Sequence, residues 1–219
     1  MEIKCNFCNS KCIKNGFQSN GNQRYKCCVC HKKQQSNYEY NAYRRNLNQE
    51  IILFTKEGLG IRSTARILKI STTTLLKRIV AIAKNIKQPN ISKGKIYEVD
   101  EMRTYIGHKR NFIWLVYALE KDSKNVVSFT IGKRTNKTLS CVLDTLKLSE
   151  AKKIFTDRLK NYSYLIDAKI HSVKRFGTNH IERKNLTLRT HLKRLNRRTI
   201  CFSKSLVILS AVLKIYFWG

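Results

Sequence analysis

Negative charge is scarce in this sequence: 14 Asp+Glu stand against 44 Lys+Arg in 219 residues, a formal charge of +30. A balance so one-sided points to a polyanionic partner. Because the basic residues run the full length of the chain, nucleic acid fits better than a membrane surface. Long apolar runs are missing as well. The start, MEIKCNFC, lacks the hydrophobic segment of a secretory signal. The most apolar stretch, SLVILSAVLKIYFW (205–218), is interrupted by Lys214 and falls short of the ~20 residues a membrane span needs. It reads as a buried terminal helix, and no membrane association is expected. Internal repeats, low-complexity runs and coiled-coil heptads are absent, so no oligomeric interface can be named. Proline occurs once, as Pro89 in KQPNISKG (87–94), whose Pro, Asn, Ser and Gly mark a linker. A hydrophobic content of 42% shows that the charge does not signal disorder. The expectation is a globular cytoplasmic protein, in which eight cysteines argue for metal ligands or free thiols over disulfides.

Six of those cysteines fall within residues 1–40. Cys5-x2-Cys8, eighteen intervening residues and then Cys27-x2-Cys30 have the spacing of a four-cysteine zinc site. Two close pairs on separate turns can converge on a tetrahedral Zn²⁺, and the segment between them suits a short hairpin. So small a module buries too little apolar surface to fold alone, and a structural Zn²⁺ would supply its folding energy. Cys12 and Cys28 are spare thiols, and His31 is an alternative to Cys30. Unmetallated reduced cysteines are the plainer alternative. The first predicted domain is therefore a zinc ribbon, residues 1–40.

Residues 44–86 show helical periodicity and no strand-like alternation. NQEIILFTKEGLG (48–60) reads as one helix. IRSTARILKISTTTLLKRIVAIAKN (61–85) divides into two, with Ile70 in the turn, Ser71 as N-cap, and Leu75, Leu76, Ile79 and Ile82 as the apolar face of the second. This is a helix-turn-helix arrangement, whose last helix would present Thr72, Thr73, Lys77 and Arg78 to the major groove of DNA. A three-helix packing module with a solvated basic face has the same periodicity.

In residues 95–219, KIYEVDEMRTYIG (95–107), NFIWLVYALE (111–120) and KNVVSFTIG (124–132) read as three consecutive strands joined by KRNF and KDSKN. A helix over 135–149, a short strand over 152–157 and a long helix over 178–195 follow. Three antiparallel strands, a helix, a further strand and then helices is the element order of an RNase H-like α/β domain. The whole chain is thus an α+β assembly of several modules. Alternation puts Glu98, Asp100 and Met102 on one face of the first strand, with Val99 and Glu101 on the other. Asp157 ends the fourth strand and Glu182 lies in the first turn of the late helix. An RNase H-like topology would gather Asp100, Asp157 and Glu182 at one edge of the sheet. Three carboxylates so close are tolerable only with cations between them, and Mg²⁺ or Mn²⁺ suits such hard oxygen ligands. Read from the residues alone, ordinary ion pairs with the abundant Lys and Arg remain an open alternative.

VDEM, the W-x-x-Y-A of 114–118, TD followed by NY (156–162), TNHIERKNLTLR (178–189) and LKRLNRRTICFSKS (192–205) together resemble transposases of bacterial insertion sequences, specifically the insertion-sequence-one family of the InsAB type. The resemblance spans nearly the whole chain. It implies an RNase H-like domain with a DDE triad at Asp100, Asp157 and Glu182, with Arg189 as the basic residue seven positions after the glutamate. Seven residues are about two helical turns, so Arg189 shares Glu182's face and could hold a DNA phosphate. Arg103 departs from the pattern, standing where an aromatic residue is expected, and bears on efficiency more than on reaction type. The implied chemistry is two-metal phosphoryl transfer: cleavage at the element's terminal inverted repeats and joining of the freed 3′-OH to target DNA. Lys184, Lys193, Arg194, Arg197 and Arg198 would contact phosphates, which position DNA without reading its sequence. Pairing two element ends implies a homo-oligomer on DNA, associated with the nucleoid. A DNA-binding regulator with an inactive catalytic domain and a nuclease that cuts without joining are the rival readings.

Overall fold

A computed structural model of the chain describes residues 2–19, 21–35 and 40–219. Residues 36–39, which close the predicted ribbon, lie outside these, as do residues 1 and 20. The chain divides into two compact units, residues 1–44 and 45–219.

The first unit is a three-stranded antiparallel sheet in the order β1-β2-β3: β1 Cys12–Phe17, β2 Gln23–Cys27 and β3 Lys33–Gln35. The hairpin expected between the cysteine pairs is β1–β2, with Cys12 opposite Cys27. The third strand, only three residues long, carries no periodic signal in the sequence. Cys5, Cys12 and Cys27 are the buried centre of this unit, flanked by Ile3, Tyr25 and Cys30. A centre made of sulfur and so few apolar groups is far too small to hold a fold by burial alone.

The second unit opens with three helices, α1 Leu47–Lys56, α2 Ile61–Ile67 and α3 Thr72–Asn85. Ser71 caps α3 as its position suggests, its hydroxyl accepting the Thr74 N–H at 3.0 Å. A five-stranded sheet follows, in the order β6-β5-β4-β7-β8. β4 Ile96–Ile106, β5 His108–Glu120 and β6 Val126–Gly132 form an antiparallel meander. The chain then crosses through α4 Asn136–Leu148 to β7 Lys153–Phe155, which runs parallel to β4 on its other side. After α5 Lys160–Leu165, the two-residue β8 His171–Ser172 adds parallel to β7. α6 Asn179–His191 and α7 Leu206–Trp218 complete the unit.

One face of the sheet, carrying Val99, Val116, Ala118 and Val127, packs on Leu139, Val142, Leu143 and Leu146 of α4. On the other face Tyr117 stacks on Phe217 of α7 at a centroid distance of 6.0 Å, and Phe129 meets the same ring at 5.4 Å. α1 and α3 also pack against α7, which ties the helical segment to the sheet domain. At Gly58, just after α1 and with φ +73°, an added Cβ would collide with the His191 carbonyl at the end of α6.

Two expected boundaries move. β5 starts at His108, but the regular β4–β5 ladder ends at Tyr105 opposite Phe112, and a register shift leaves residues 109–111 unpaired with β4 before Gly107 closes the hairpin. The long late helix stops at His191 because Leu192 adopts φ −95°, ψ 88°, and residues 193–195 form a 3-10 turn. Leu188, Leu192 and Leu195 all remain buried, so the apolar stripe outlasts the helix that began it.

Candidate functional site

β4 and β7 run side by side and in parallel, with Glu98 level with Phe155. Two residues beyond each lie Asp100 and Asp157, where β7 has already ended. A neighbouring acid joins them: one carboxylate oxygen each from Asp100, Glu101 and Asp157 lies within 4.8 Å of the others. Alternation assigns Glu101 to the opposite face of β4, yet its side chain reaches this cluster where the strands part. Asp100 is anchored at both oxygens. Its Oδ1 accepts the Glu101 N–H and its Oδ2 accepts Asn185 Nδ2, both at 2.7 Å. Asp157 Oδ1 accepts the Leu159 N–H at 3.0 Å. Burial pushes Asp100 up to about 6, with the charges of Asp157 and Glu182 adding and the Glu101 and Asn185 hydrogen bonds opposing. Burial likewise raises Glu101 to about 7, helped by the Asp157 charge and opposed by Arg134.

Glu182 sits in the first turn of α6, exposed, its Oε1 accepting the Thr178 hydroxyl at 2.8 Å. It is near enough for its charge to act on Asp100, but it stands outside the closely spaced triplet. Arg189, two turns further along, is half-buried, with its Nε buried and lacking a partner. Burial lowers its pKa, Arg197 adds to that, and Asp100 opposes it.

α6 is itself held from beneath. Glu98 is fully buried, with Oε2 accepting the Ile181 N–H at 2.8 Å and Oε1 lying 2.7 Å from His180 Nδ1. It thus satisfies an N–H of the first turn, which no carbonyl of the helix can reach, and puts a carboxylate at the positive end of the helix. The Tyr117 hydroxyl lies 3.1 Å from the Ile181 carbonyl and 2.9 Å from Asn185 Oδ1. Asn185 therefore bridges Tyr117 on β5 to Asp100 on β4. Glu98, Tyr117 and Asn185 were not among the expected site residues. The available signal was that Glu98 shares the Asp100 face and that Asn185 follows Glu182 by three residues, within one helical turn.

Among the basic residues, Lys184 is half-buried, with its pKa lowered by burial, in a groove of ≈ 450 Å³ that Lys124, His180, Arg183 and Thr187 also line. Lys193, Arg197 and Arg198 are exposed. Arg194 turns inward and donates to Ser203 Oγ at 2.9 Å. On α3, Thr72, Thr73 and Lys77 are exposed and Arg78 is half-buried.

In the first unit the four expected thiols converge. Cys5 and Cys30 sulfurs are 3.5 Å apart, Cys8 and Cys27 sulfurs 3.4 Å, and all four lie within 4.8 Å of one another. Tetrahedral Zn–S bonds of roughly 2.3 Å imply S···S separations of about 3.8 Å, so the set fits Zn²⁺. Phe7 N–H points at Cys5 Sγ, and the Val29 and Cys30 N–H groups at Cys27 Sγ, each at 3.4 Å. Hydrogen bonds, the Ser10 backbone first, hold the Cys8 thiol down at about 6. Although the Lys32 backbone favours its thiolate, burial and the neighbouring sulfurs push Cys30 up to about 12. Four thiols cannot ionise together without a cation to compensate them. His31, the alternative ligand, adopts φ +56° beside the site and is not in the cluster.

A mixed α/β domain that converges acids where the short β7 ends beside the parallel β4, preceded in sequence by a four-thiol module, defines the class. A family model described as IS1 transposase matches residues 95–218. The protein InsB of insertion element IS1 from Shigella flexneri is 37% identical over 119 residues, covering 54% of this chain and 91% of the relative. Iso-IS1n InsB from Shigella dysenteriae is 37% identical over 113 residues, 52% of this chain and 86% of its own length. The chain belongs to the IS1 transposase family. The HTLV-2 integrase catalytic core domain solved with magnesium aligns at TM-score 0.38 and 19% identity over 58% of this chain and 86% of that one, too distant to bear on the argument. Among the described residues no helix is long and apolar enough to cross a membrane.

Proposed function

We propose that this protein is a transposase that binds the ends of its element, cuts there, and joins the 3′-OH end to target DNA. The observation that carries the reading is the meeting of Asp100, within β4, and Asp157, just past the end of the parallel β7, 57 positions apart in sequence in a chain of charge +30. Asp100, Asp157 and Glu182 hold the catalytic Mg²⁺ or Mn²⁺, which when bound neutralises charge on the attacking and leaving oxygens of the phosphodiester. Asn185 and the Glu101 N–H fix the rotamer of Asp100, so this ligand is set before DNA arrives. Arg189, with an unpartnered buried Nε and near enough to feel the Asp100 charge, clamps a phosphate next to the site. Lys184, Lys193, Arg197 and Arg198 guide the backbone in, and Arg194 supports them through Ser203.

In the same reading residues 44–86 act as a helix-turn-helix, with Thr72, Thr73, Lys77 and Arg78 of α3 facing the DNA, and residues 1–40 are a zinc ribbon on Cys5, Cys8, Cys27 and Cys30. The catalytic domain is then 95–219, after the linker 87–94. Pairing of two ends makes the working form an oligomer. The test is joining of labelled terminal-repeat DNA to a target plasmid in Mg²⁺. Asp100→Asn, Asp157→Asn and Glu182→Gln each abolish cleavage and joining but retain end binding. A parent that cleaves and never joins a supplied 3′-OH end refutes the transposase reading in favour of a nuclease.

A further inference from the structure

The reaction above leaves Glu101 without a role. Its side chain is 1% exposed, and its Oε1 is buried with no hydrogen-bond partner. The buried Tyr162 hydroxyl is close enough to favour the Glu101 carboxylate but does not reach hydrogen-bond geometry with it, so the oxygen is only weakly matched. The nearest cation, Arg134, stands 3.7 Å from Oε2, longer than a hydrogen bond, and its guanidinium lies over the Trp114 ring 4.6 Å from the centroid. Arg134 therefore has a seat that does not need Glu101. A carboxylate withdrawn from water with an oxygen so weakly matched is costly unless something compensates it. Glu101 turns towards two more acids, one oxygen lying within 4.8 Å of Asp100 and Asp157. That spacing suits one small dication, since trans oxygens in an octahedral shell of roughly 2.1 Å radius are about 4.2 Å apart.

We propose that Glu101 is a further carboxylate ligand of the divalent cation held by Asp100 and Asp157. The cation is then gripped from both faces of β4, with the buried Glu101 carboxylate supplying one oxygen. Glu182, exposed and bonded to Thr178 in the DNA-free chain, is outside this triplet and keeps its proposed role as a ligand on the DNA side of the site. The inference rests on the reading of Asp100 and Asp157 as a cation site.

The experiment is an Mn²⁺ titration of the zinc-loaded full chain without DNA, followed by electron paramagnetic resonance, with melting curves of the same zinc-loaded chain without added Mn²⁺ or Mg²⁺ alongside. Glu101→Gln weakens Mn²⁺ binding about tenfold or more, while its melting temperature without added Mn²⁺ or Mg²⁺ stays level or rises because a repelling charge has gone. Glu101→Asp, which keeps the charge but retracts the oxygens by one methylene, also weakens Mn²⁺ and provides the measurement if Glu101→Gln does not fold. Parent-like Mn²⁺ affinity in these variants, with the site lost in Asp157→Asn, overturns Glu101 as a ligand and leaves the cation site standing. Identical titrations of parent and Asp157→Asn overturn the cation site itself.

Discussion

Asp100 and Glu101 keep two adjacent carboxyls at the same poorly solvated end of the sheet, and their protonation is coupled to folding. Their ordinary values are 3.8 and 4.5, and burial raises them to about 6 and about 7. A carboxyl with a raised folded-state pKa favours the fold while protonated. That contribution is complete below about pH 4 and is lost as pH climbs through 6 and 7. Metal-free protein should therefore melt at lower temperature at pH 8 than at pH 5, with a shallower decline in an Asp100→Asn, Glu101→Gln double variant. Added Mg²⁺ should stabilise the parent more at pH 8 than at pH 5; equal stabilisation at both would contradict this picture. Glu98 acts differently, as a fully buried clamp on α6. Glu98→Ala strands the Ile181 N–H and should cost about 1–3 kcal/mol in denaturant unfolding. It should also slow joining, because α6 carries Glu182, Asn185 and Arg189, while end binding is retained. Unchanged stability would show that the clamp is idle.

At the scale of elements, the two units draw their stability from different sources. The three short strands of the first unit surround sulfur, and the ribbon should depend on its metal. Cys5→Ser with Cys8→Ser should eliminate one equivalent of zinc by atomic spectroscopy and unfold that unit, while the second unit's transition persists; retained zinc would exclude the four-thiol site. In the second unit, the Gly58 backbone abuts the His191 carbonyl, so Gly58→Ala should lower the melting temperature by several degrees, and no change would mean that this contact yields freely. The meander β4–β6 and α4 were legible because alternation and a four-residue apolar stripe are long enough to register. α5 and β8, of six and two residues, are too short for either period. The end of α6 was overrun because Leu192 and Leu195 stay buried after the helix has stopped. The gathering of Asp100 with Asp157 followed from element order. The arrival of Glu101 did not, since period-two alternation cannot show that β7 stops beside the middle of β4. Glu98 was invisible as a clamp because its partners lie 82 and 83 residues away.

Across the whole molecule, a strongly basic chain concentrates acids at one small place. The general positive field attracts phosphate, and the local negative pocket would retain the cations that neutralise the phosphodiester as it reacts. Each depends on the other, for acids alone would repel DNA and basic residues alone would only bind it. The membership in the IS1 transposase family and the convergence of Asp100 and Asp157 support the same catalytic account. The most direct measurement is strand transfer of the element's own terminal repeats in Mg²⁺, comparing the parent with Asp100→Asn and Asp157→Asn at matched end occupancy. The account predicts joined product from the parent and none above background from either variant, with all three binding the ends alike. Joining by either variant at the parental rate would contradict it.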